Sequence, residues 1–261
     1  MLYCTRQKSR TGEGMLTDYS QPGFYHADCM DAMRQFPDQF FDLAIVDPPY
    51  GDGGSEFVRG GVRFGQRFER YMTDAKGPAR TGGTWASKYE KNIIAWDVAP
   101  DQDYFDELFR VSKHQIIWGG NYFWLPPTRC FLVWKKLTIS ESFSMAMAEY
   151  AWTNFSGNAK VFECAPQGTS KDQRFHPTQK PVALYQWQLG MFAKPGMKII
   201  DTHVGSASSL VACHRAGLDY WGFEIDQAYY EKAKERLENE LNQVNMNDLF
   251  QDIPCEQLRI L

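Results

Sequence analysis

A run of mostly apolar residues, Phe41-Asp42-Leu43-Ala44-Ile45-Val46, stops at Asp47-Pro48-Pro49, and this junction constrains the fold more than any other stretch. A near-continuous apolar segment of this length fits a strand buried on both faces, the habit of a central parallel strand. The two prolines forbid its continuation, because each lacks the amide that a sheet or helix would use. A parallel strand reaches its neighbour only through a crossover, usually a helix. The chain must therefore alternate strands with helices, and its remaining patterns agree.

Strand patterns are read at 23–27, 115–118, 130–134, 149–152, 197–200 and 220–225. Helical spacing is read at 30–36, through Met30, Met33 and Phe36, and at 101–112, through Phe105, Leu108 and Phe109. Pro181 opens a further helix, where its missing amide costs nothing. Another runs over 209–216 and ends at Gly217. Asp226 caps a last long helix whose Tyr230, Ala233, Leu237 and Leu241 form one apolar stripe. The alternation predicts an α/β sheet with parallel strands. The 261 residues suit one domain that buries about 75% of its unfolded surface. The domain expected is 1–261, with a long insertion at about 51–92, a connection far above the usual loop length.

Composition closes off several classes. Aromatic residues make up 15% of the chain, too many for a disordered polymer. No stretch approaches the ~20 apolar residues of a membrane span, and residues 1–14 lack the apolar core of a signal peptide. Six scattered cysteines without a C-x-x-C pair suit reduced thiols, so a cytoplasmic protein without a structural metal is expected. The net charge of −4 argues at first against a nucleic-acid partner, but it is unevenly spread. Residues 52–92 hold eight Lys/Arg against five Asp/Glu, and residues 219–261 hold four against ten. Within the insertion Arg63, Arg67 and Arg70 run beside Phe64, Phe68 and Tyr71 at helical spacing. These arginines are candidate nucleic-acid contacts, or else the solvated side of a surface helix.

Three clusters could carry chemistry. Asp47-Pro48-Pro49-Tyr50 follows a buried strand, and ligands of open α/β sheets bind beyond the carboxyl ends of strands. A carboxylate, free carbonyls and a flat ring suit an amino group on a planar base. The second is Asp201-Thr-His-Val-Gly205-Ser206-Ala207-Ser208, an acid followed by small residues that open a helix, where a ligand can approach the backbone. Glu224 ends the next strand, where a carboxylate would hold a ribose diol. The third is His176-Pro177-Thr178-Gln179-Lys180-Pro181. Each also has a plain structural reading: a strand-ending turn, a helix start, a polar loop.

Taken together and in this order, the three motifs resemble those of the S-adenosylmethionine-dependent DNA amino-methyltransferases, in the circularly permuted β-group order. The resemblance covers about residues 24–241. It implies a Rossmann-like class I methyltransferase fold, with a mostly parallel seven-stranded sheet holding one antiparallel strand. It implies S-adenosylmethionine as cofactor and double-stranded DNA as partner. Asp201, Gly205, Ser206 and Ser208 would surround the cofactor's methionine part, with His203 a more distant contact. Thr178 and Lys180 would hold its carboxylate, Glu224 its ribose, and Asp28 and Cys29 its adenine. Asp47, Pro48, Pro49 and Tyr50 would form the catalytic motif. Two positions depart from the family pattern: His203 stands where Phe is usual, and Ala207 where Gly is usual. Ala207 is expected to fit if its backbone stays at negative φ. Asp at position 47 resembles the adenine-N6 group more than the cytosine-N4 group, which shares the acceptor geometry. An inactive nucleic-acid-binding protein of the same fold is the reading from a different class. A homodimer and a cognate restriction endonuclease accompany the family resemblance as further expectations.

Overall fold

A computed structural model describes residues 18–50, 98–139, 146–166, 174–176 and 178–251. The whole insertion expected at 51–92, with Arg63, Arg67 and Arg70, lies outside the described residues, as do residues 1–17 and Pro177.

The elements follow in chain order as β1 (Gly23–His26), α1 (Cys29–Met33), β2 (Phe41–Val46), α2 (Gln102–Val111) and β3 (Ser112–Trp118). A 3-10 turn (Gly120–Tyr122) leads to β4 (Leu132–Lys136), β5 (Ala148–Thr153) and β6 (Lys160–Cys164). The chain continues through α3 (Val182–Phe192), β7 (Lys198–Asp201), α4 (Ser208–Arg215), β8 (Asp219–Glu224) and α5 (Gln227–Gln251). The described strands form one sheet of order β1-β8-β7-β2-β3-β5-β4-β6. All neighbouring pairs are parallel except those of β5, which runs against both β3 and β4. The expected single reversed strand is therefore β5.

The sheet holds eight strands where seven were expected. The addition is β6, an edge strand paired only with β4, in register from Leu132↔Lys160 to Lys136↔Cys164. Its sequence, Lys-Val-Phe-Glu-Cys, leaves Val161 exposed and rests Phe162 against Trp187 of α3 at a 5.0 Å ring separation. One covered face and one free edge give too little apolar pattern to read as a strand.

Helices cover both faces. Leu43, Ile45, Ile116, Trp118 and Ile199 pack under α3, α4 and α5 through Leu184, Leu189, Leu210, Val211, Ala233 and Leu237. Ala44, Val46, Ile117 and Ile200 face the other way, onto Met33 of α1 and Phe105, Leu108 and Val111 of α2. Alternate residues of one strand thus feed two cores, which is why β2 reads as continuously apolar. Caps fix where the helices begin. Asp28 accepts the Met30 amide at 2.7 Å, Asp101 accepts the Tyr104 amide at 3.2 Å, and Asp226 accepts the Ala228 and Tyr229 amides at 2.9 Å each. No helix among the described residues is long and apolar enough to cross a membrane.

The chain leaves β7 toward β8 on one side, and leaves β2 toward β3 on the other. The sheet order therefore reverses between β2 and β7, whose register sets Leu43 against Ile199 and Ala44 against Ile200. A crevice opens at such a switch point, beyond the strands' carboxyl ends. Asp47 follows one of these strands and Asp201 ends the other.

Candidate active site

Asp47 emerges from β2 with the buried Pro48 behind it. The Tyr50 hydroxyl donates to Asp47 Oδ1 at 2.7 Å, and the Lys180 ammonium donates to Asp47 Oδ2. The first and third sequence motifs, 133 residues apart, thus meet in one ion pair. The Tyr50 ring stacks on Tyr122 at 4.8 Å and 20°, so one of its faces is already occupied by an aromatic partner. It lies directly over Gly119, which ends β3 at φ +67°. A methyl group on residue 119 would stand 2.1 Å from Tyr50 Cε1, closer than any real contact. Gly119 directly follows the strand pattern read at 115–118, and its lack of a side chain is what lets the ring lie flat against the backbone.

Lys180 and Lys136 are almost fully buried, while Asp47 and Glu149 are partly exposed. The Lys180 ammonium also lies 3.2 Å from Glu149 Oε2 and 5.4 Å from the centre of the Trp118 ring. Glu149 Oε1 pairs with Lys136 at 2.5 Å. Burial by itself would lower the Lys180 pKa, but the Asp47 and Glu149 carboxylates outweigh it and hold the group above its ordinary value. Burial likewise works to raise the Glu149 pKa, and Lys180 and Lys136 overcome it, so the carboxyl sits below its ordinary value. Lys180 was expected to hold a cofactor carboxylate. Its position between two protein carboxylates is different, because β5 runs backwards and delivers Glu149, near its start, to the site edge. Glu149 and Lys136 were not foreseen as site residues: the reversal of β5 puts the start of a strand, with Glu149, where only strand ends were considered, and Lys136 ends β4 two residues beyond the strand pattern read at 130–134.

Asp201 ends β7 in a buried position. Its Oδ1 accepts the His203 amide at 3.0 Å, and its Oδ2 accepts the Ser209 hydroxyl of α4. Burial pushes its pKa up to about 7, with Asp47 and Glu224 adding to the rise against those two hydrogen bonds. Glu224 Oε2 accepts the Gly205 amide at 2.8 Å, and Oε1 accepts the Asp226 amide at 2.9 Å. Burial raises the Glu224 pKa as well, the Asp226 charge adding to it against these amides. Asp47, Asp201 and Glu224 thus gather three acids beyond the carboxyl ends of the strands, of which Asp47 is already paired with Lys180.

The turn between β7 and α4 is tight. Gly205 sits at φ +55°, where a Cβ would meet the His176 ring at 3.3 Å. Ala207 does not meet the condition of a negative φ under which it was expected to fit easily. It lies at φ +63°, because the turn must reverse before α4 and the Val211 amide reaches back to the Ala207 carbonyl at 2.9 Å. A left-handed alanine costs about 1–2 kcal/mol, which is why glycine is the easier residue there.

The remaining candidates have definite partners. Ser206 and Ser208 share a hydroxyl–hydroxyl bond of 3.1 Å. Arg236 of α5 donates to the Ser206 carbonyl at 2.7 Å and to the Ser208 hydroxyl at 3.0 Å. Ser208 is thereby turned toward α5, and it is 2% exposed. His203 bonds Thr202 Oγ1 through Nδ1 at 2.9 Å, and the Tyr104 hydroxyl meets the same Oγ1 at 2.6 Å. Burial pushes the His203 imidazole down to about 4, a shift that Asp28 opposes. Asp28 is exposed at the mouth of the first crossover and spends Oδ1 on its cap. The Cys29 thiol is pushed up to about 12 by burial, with the Asp28 charge behind it. Thr178 is exposed, its hydroxyl 3.2 Å from His176 Nδ1.

A mostly parallel sheet with one reversed strand, helices on both faces, acids at the ends of β7 and β8, and Asp-Pro-Pro-Tyr after β2 is the arrangement expected from the sequence for a class I methyltransferase fold. Residues 132–235 match the N6_N4_Mtase family model, described as DNA methylase. That segment takes in Lys180, Asp201 and Glu224. The type II methyltransferase M2.DpnII of Streptococcus pneumoniae is 24% identical over 246 residues, covering 84% of this chain and 90% of that protein. The type II methyltransferase M2.MboI of Moraxella bovis is 22% identical over 266 residues, covering 88% and 92%. The crystal structure of an M1.HpyAVI–SAM complex aligns with 18% identity and a TM-score of 0.46 over 82% of this chain and 98% of that one. These similarities support reading the chain as an S-adenosylmethionine-dependent DNA amino-methyltransferase.

Proposed function

We propose that this DNA methyltransferase moves the methyl group of S-adenosylmethionine to the exocyclic N6 of adenine in double-stranded DNA. The observation that carries the reading is the placement of Asp47 and Tyr50 across the switch point from Asp201.

The fit of the cofactor rests on the acid cluster. S-adenosylmethionine supplies a methyl group on a positively charged sulfonium, and it carries an ammonium besides. Asp201, whose pKa is raised by burial and then by the Asp47 and Glu224 charges, gains by such a neighbour. Glu224 holds its two oxygens in place with backbone amides and keeps lone pairs for a ribose diol. Gly205 and Ser206 line the methionine end beside Asp201, with Ser208 and His203 supporting that turn from behind. Asp28 and the Cys29 amide stand near the end of β1, paired in parallel with β8, where an adenine would extend from the ribose. Thr178 remains at the surface for the cofactor's carboxylate.

At the other side of the crevice the chain acts on the target base. An aromatic amine is a poor nucleophile because its lone pair is delocalised into the ring. Hydrogen bonds from both of its N–H groups, to Asp47 and to the Pro48 carbonyl, draw the nitrogen toward tetrahedral geometry. Its lone pair then faces the methyl donor. The work is positioning and electrostatics. Reaching the site requires the base to leave the duplex, at a few kcal/mol, and the base stacks on Tyr50 by taking the place of Tyr122, so only part of that cost is returned.

Gly119→Ala tests the platform. The added methyl displaces the Tyr50 ring, so the KM for DNA should rise about tenfold or more. Calorimetric binding of S-adenosylmethionine should stay at the wild-type level. An unchanged KM would remove Tyr50 from the stacking role.

Expression in a methylation-free host followed by direct mapping of modified bases decides the base and atom together. The expected product is N6-methyladenine at one short sequence. N4-methylcytosine would keep the acceptor geometry and overturn the choice of base. Unmodified DNA, with no cofactor binding, would favour an inactive DNA-binding protein.

A further inference from the structure

We propose that Glu149 is a positioning residue for methyl transfer: it is the acceptor to which Lys180 withdraws when the target amine takes its place on Asp47. This rests on the reading of Asp47 as the amine's acceptor.

Both oxygens of Asp47 are taken, Oδ1 by the Tyr50 hydroxyl and Oδ2 by Lys180. An incoming N–H group needs one of them. Tyr50 is held by its stack on Tyr122 and by contact with Gly119, whereas Lys180 ends a flexible stem. Its second acceptor is already beside it. Glu149 Oε2 lies 3.2 Å from Lys180 Nζ, within ion-pair range, yet it is buried and completes no hydrogen bond of good geometry. A buried carboxylate oxygen left in that condition is costly, and a small movement of the ammonium satisfies it. The same movement frees Asp47 Oδ2.

The surroundings keep both positions open to the ammonium. Lys136 neutralises the far oxygen of Glu149, so the two acids and two bases form a closed set around the exchange. The Trp118 ring lies beside the ammonium and offers its face to the cation. Lys180 remains charged throughout, since the two carboxylates prevail over its burial. The proton inventory does not change: one hydrogen bond to Asp47 is exchanged for one to Glu149, and no bond to carbon or hydrogen breaks.

The test measures methyl transfer, S-adenosylmethionine binding and thermal unfolding for Glu149→Gln, Glu149→Asp and Asp47→Asn. Glu149→Gln keeps the shape but cannot draw the ammonium away, so kcat should fall tenfold or more with cofactor binding retained. Glu149→Asp keeps the charge and should recover most of the rate. Wild-type kcat in Glu149→Gln overturns the proposal, and so does equal loss of rate and of cofactor binding in both Glu149 variants, which marks a structural role. If Asp47→Asn turns over normally, the acceptor reading itself fails. If Asp47→Asn is inactive and Glu149→Gln is normal, only the present inference fails. A second measurement does not depend on how the variants fold. In a crystal structure of the wild-type protein with S-adenosylhomocysteine and a duplex carrying the mapped site, Lys180 should be hydrogen-bonded to Glu149 and off Asp47. Lys180 still seated on Asp47 beside the bound base overturns the proposal.

Discussion

Asp47→Asn should slow methyl transfer about 10²–10³-fold, the usual cost of removing one electrostatic contact made to the reacting group, while S-adenosylmethionine still binds. The asparagine keeps the size and one acceptor of the aspartate. It loses the charge that makes a hydrogen bond from the target amine about twice as strong as a neutral one. It also brings an N–H group to where only acceptors are wanted. The fold should survive the change, because Lys180 retains Glu149 at 3.2 Å and is not left as an isolated buried charge. Asp47→Ala is the harsher variant. It opens space beside the same ammonium and adds part of the 3–5 kcal/mol that breaking a buried pair costs. Turnover with labelled cofactor, calorimetry and a melting curve on Asp47→Asn separate the chemistry from the fold. Near-wild-type turnover would show that Asp47 does not receive the amine.

The parts of this site that could be read from sequence are those written in local pattern. The run ending at Val46, the helix beginning after Asp101 and the stripe of Ala233 and Leu237 each declare themselves within about two turns or one strand. The motif edges are local too, so Asp47, Asp201 and Glu224 stand at the carboxyl ends where strand-by-strand reading put them. What could not be read is set by pairing across the chain. Glu149 sits at the start of a strand, and only the reversal of β5 against β3 and β4 carries that start to the site. The contact between Lys180 and Asp47 spans 133 residues and has no periodicity to betray it. The positive φ of Ala207 belongs to the turn, since alanine ordinarily avoids that region. The edge strand β6 has one face packed, so its alternation is faint.

His203→Phe, which installs the residue usual in the family, should change how stability depends on pH more than stability at neutrality. Burial depresses the His203 imidazole from 6.5 to about 4. Between those values the unfolded chain binds a proton that the folded protein refuses, so this group makes stability rise with pH. The slope for one proton is about 1.4 kcal/mol per pH unit. Asp201 acts in the opposite sense. Burial lifts its carboxyl from 3.8 to about 7, so over that window the folded protein keeps a proton that the unfolded chain has lost. Its contribution is fully present below the lower value and is lost as pH rises through the upper one. In the wild-type protein the two slopes oppose each other between about 4 and 6.5 and largely cancel. Phenylalanine at 203 removes one of them and leaves the Asp201 slope exposed. The backbone amide that Asp201 accepts is untouched by the change, and Thr202 keeps its bond with Tyr104. Relative to wild type, the variant should therefore lose about 3 kcal/mol of stability as pH rises from 4 to 6.5. Urea unfolding of both proteins at pH 4, 5, 6 and 7 reads this difference directly. Stability curves that run parallel would mean that His203 is not held neutral by burial, and that Asp201 titrates without a counterweight two residues away.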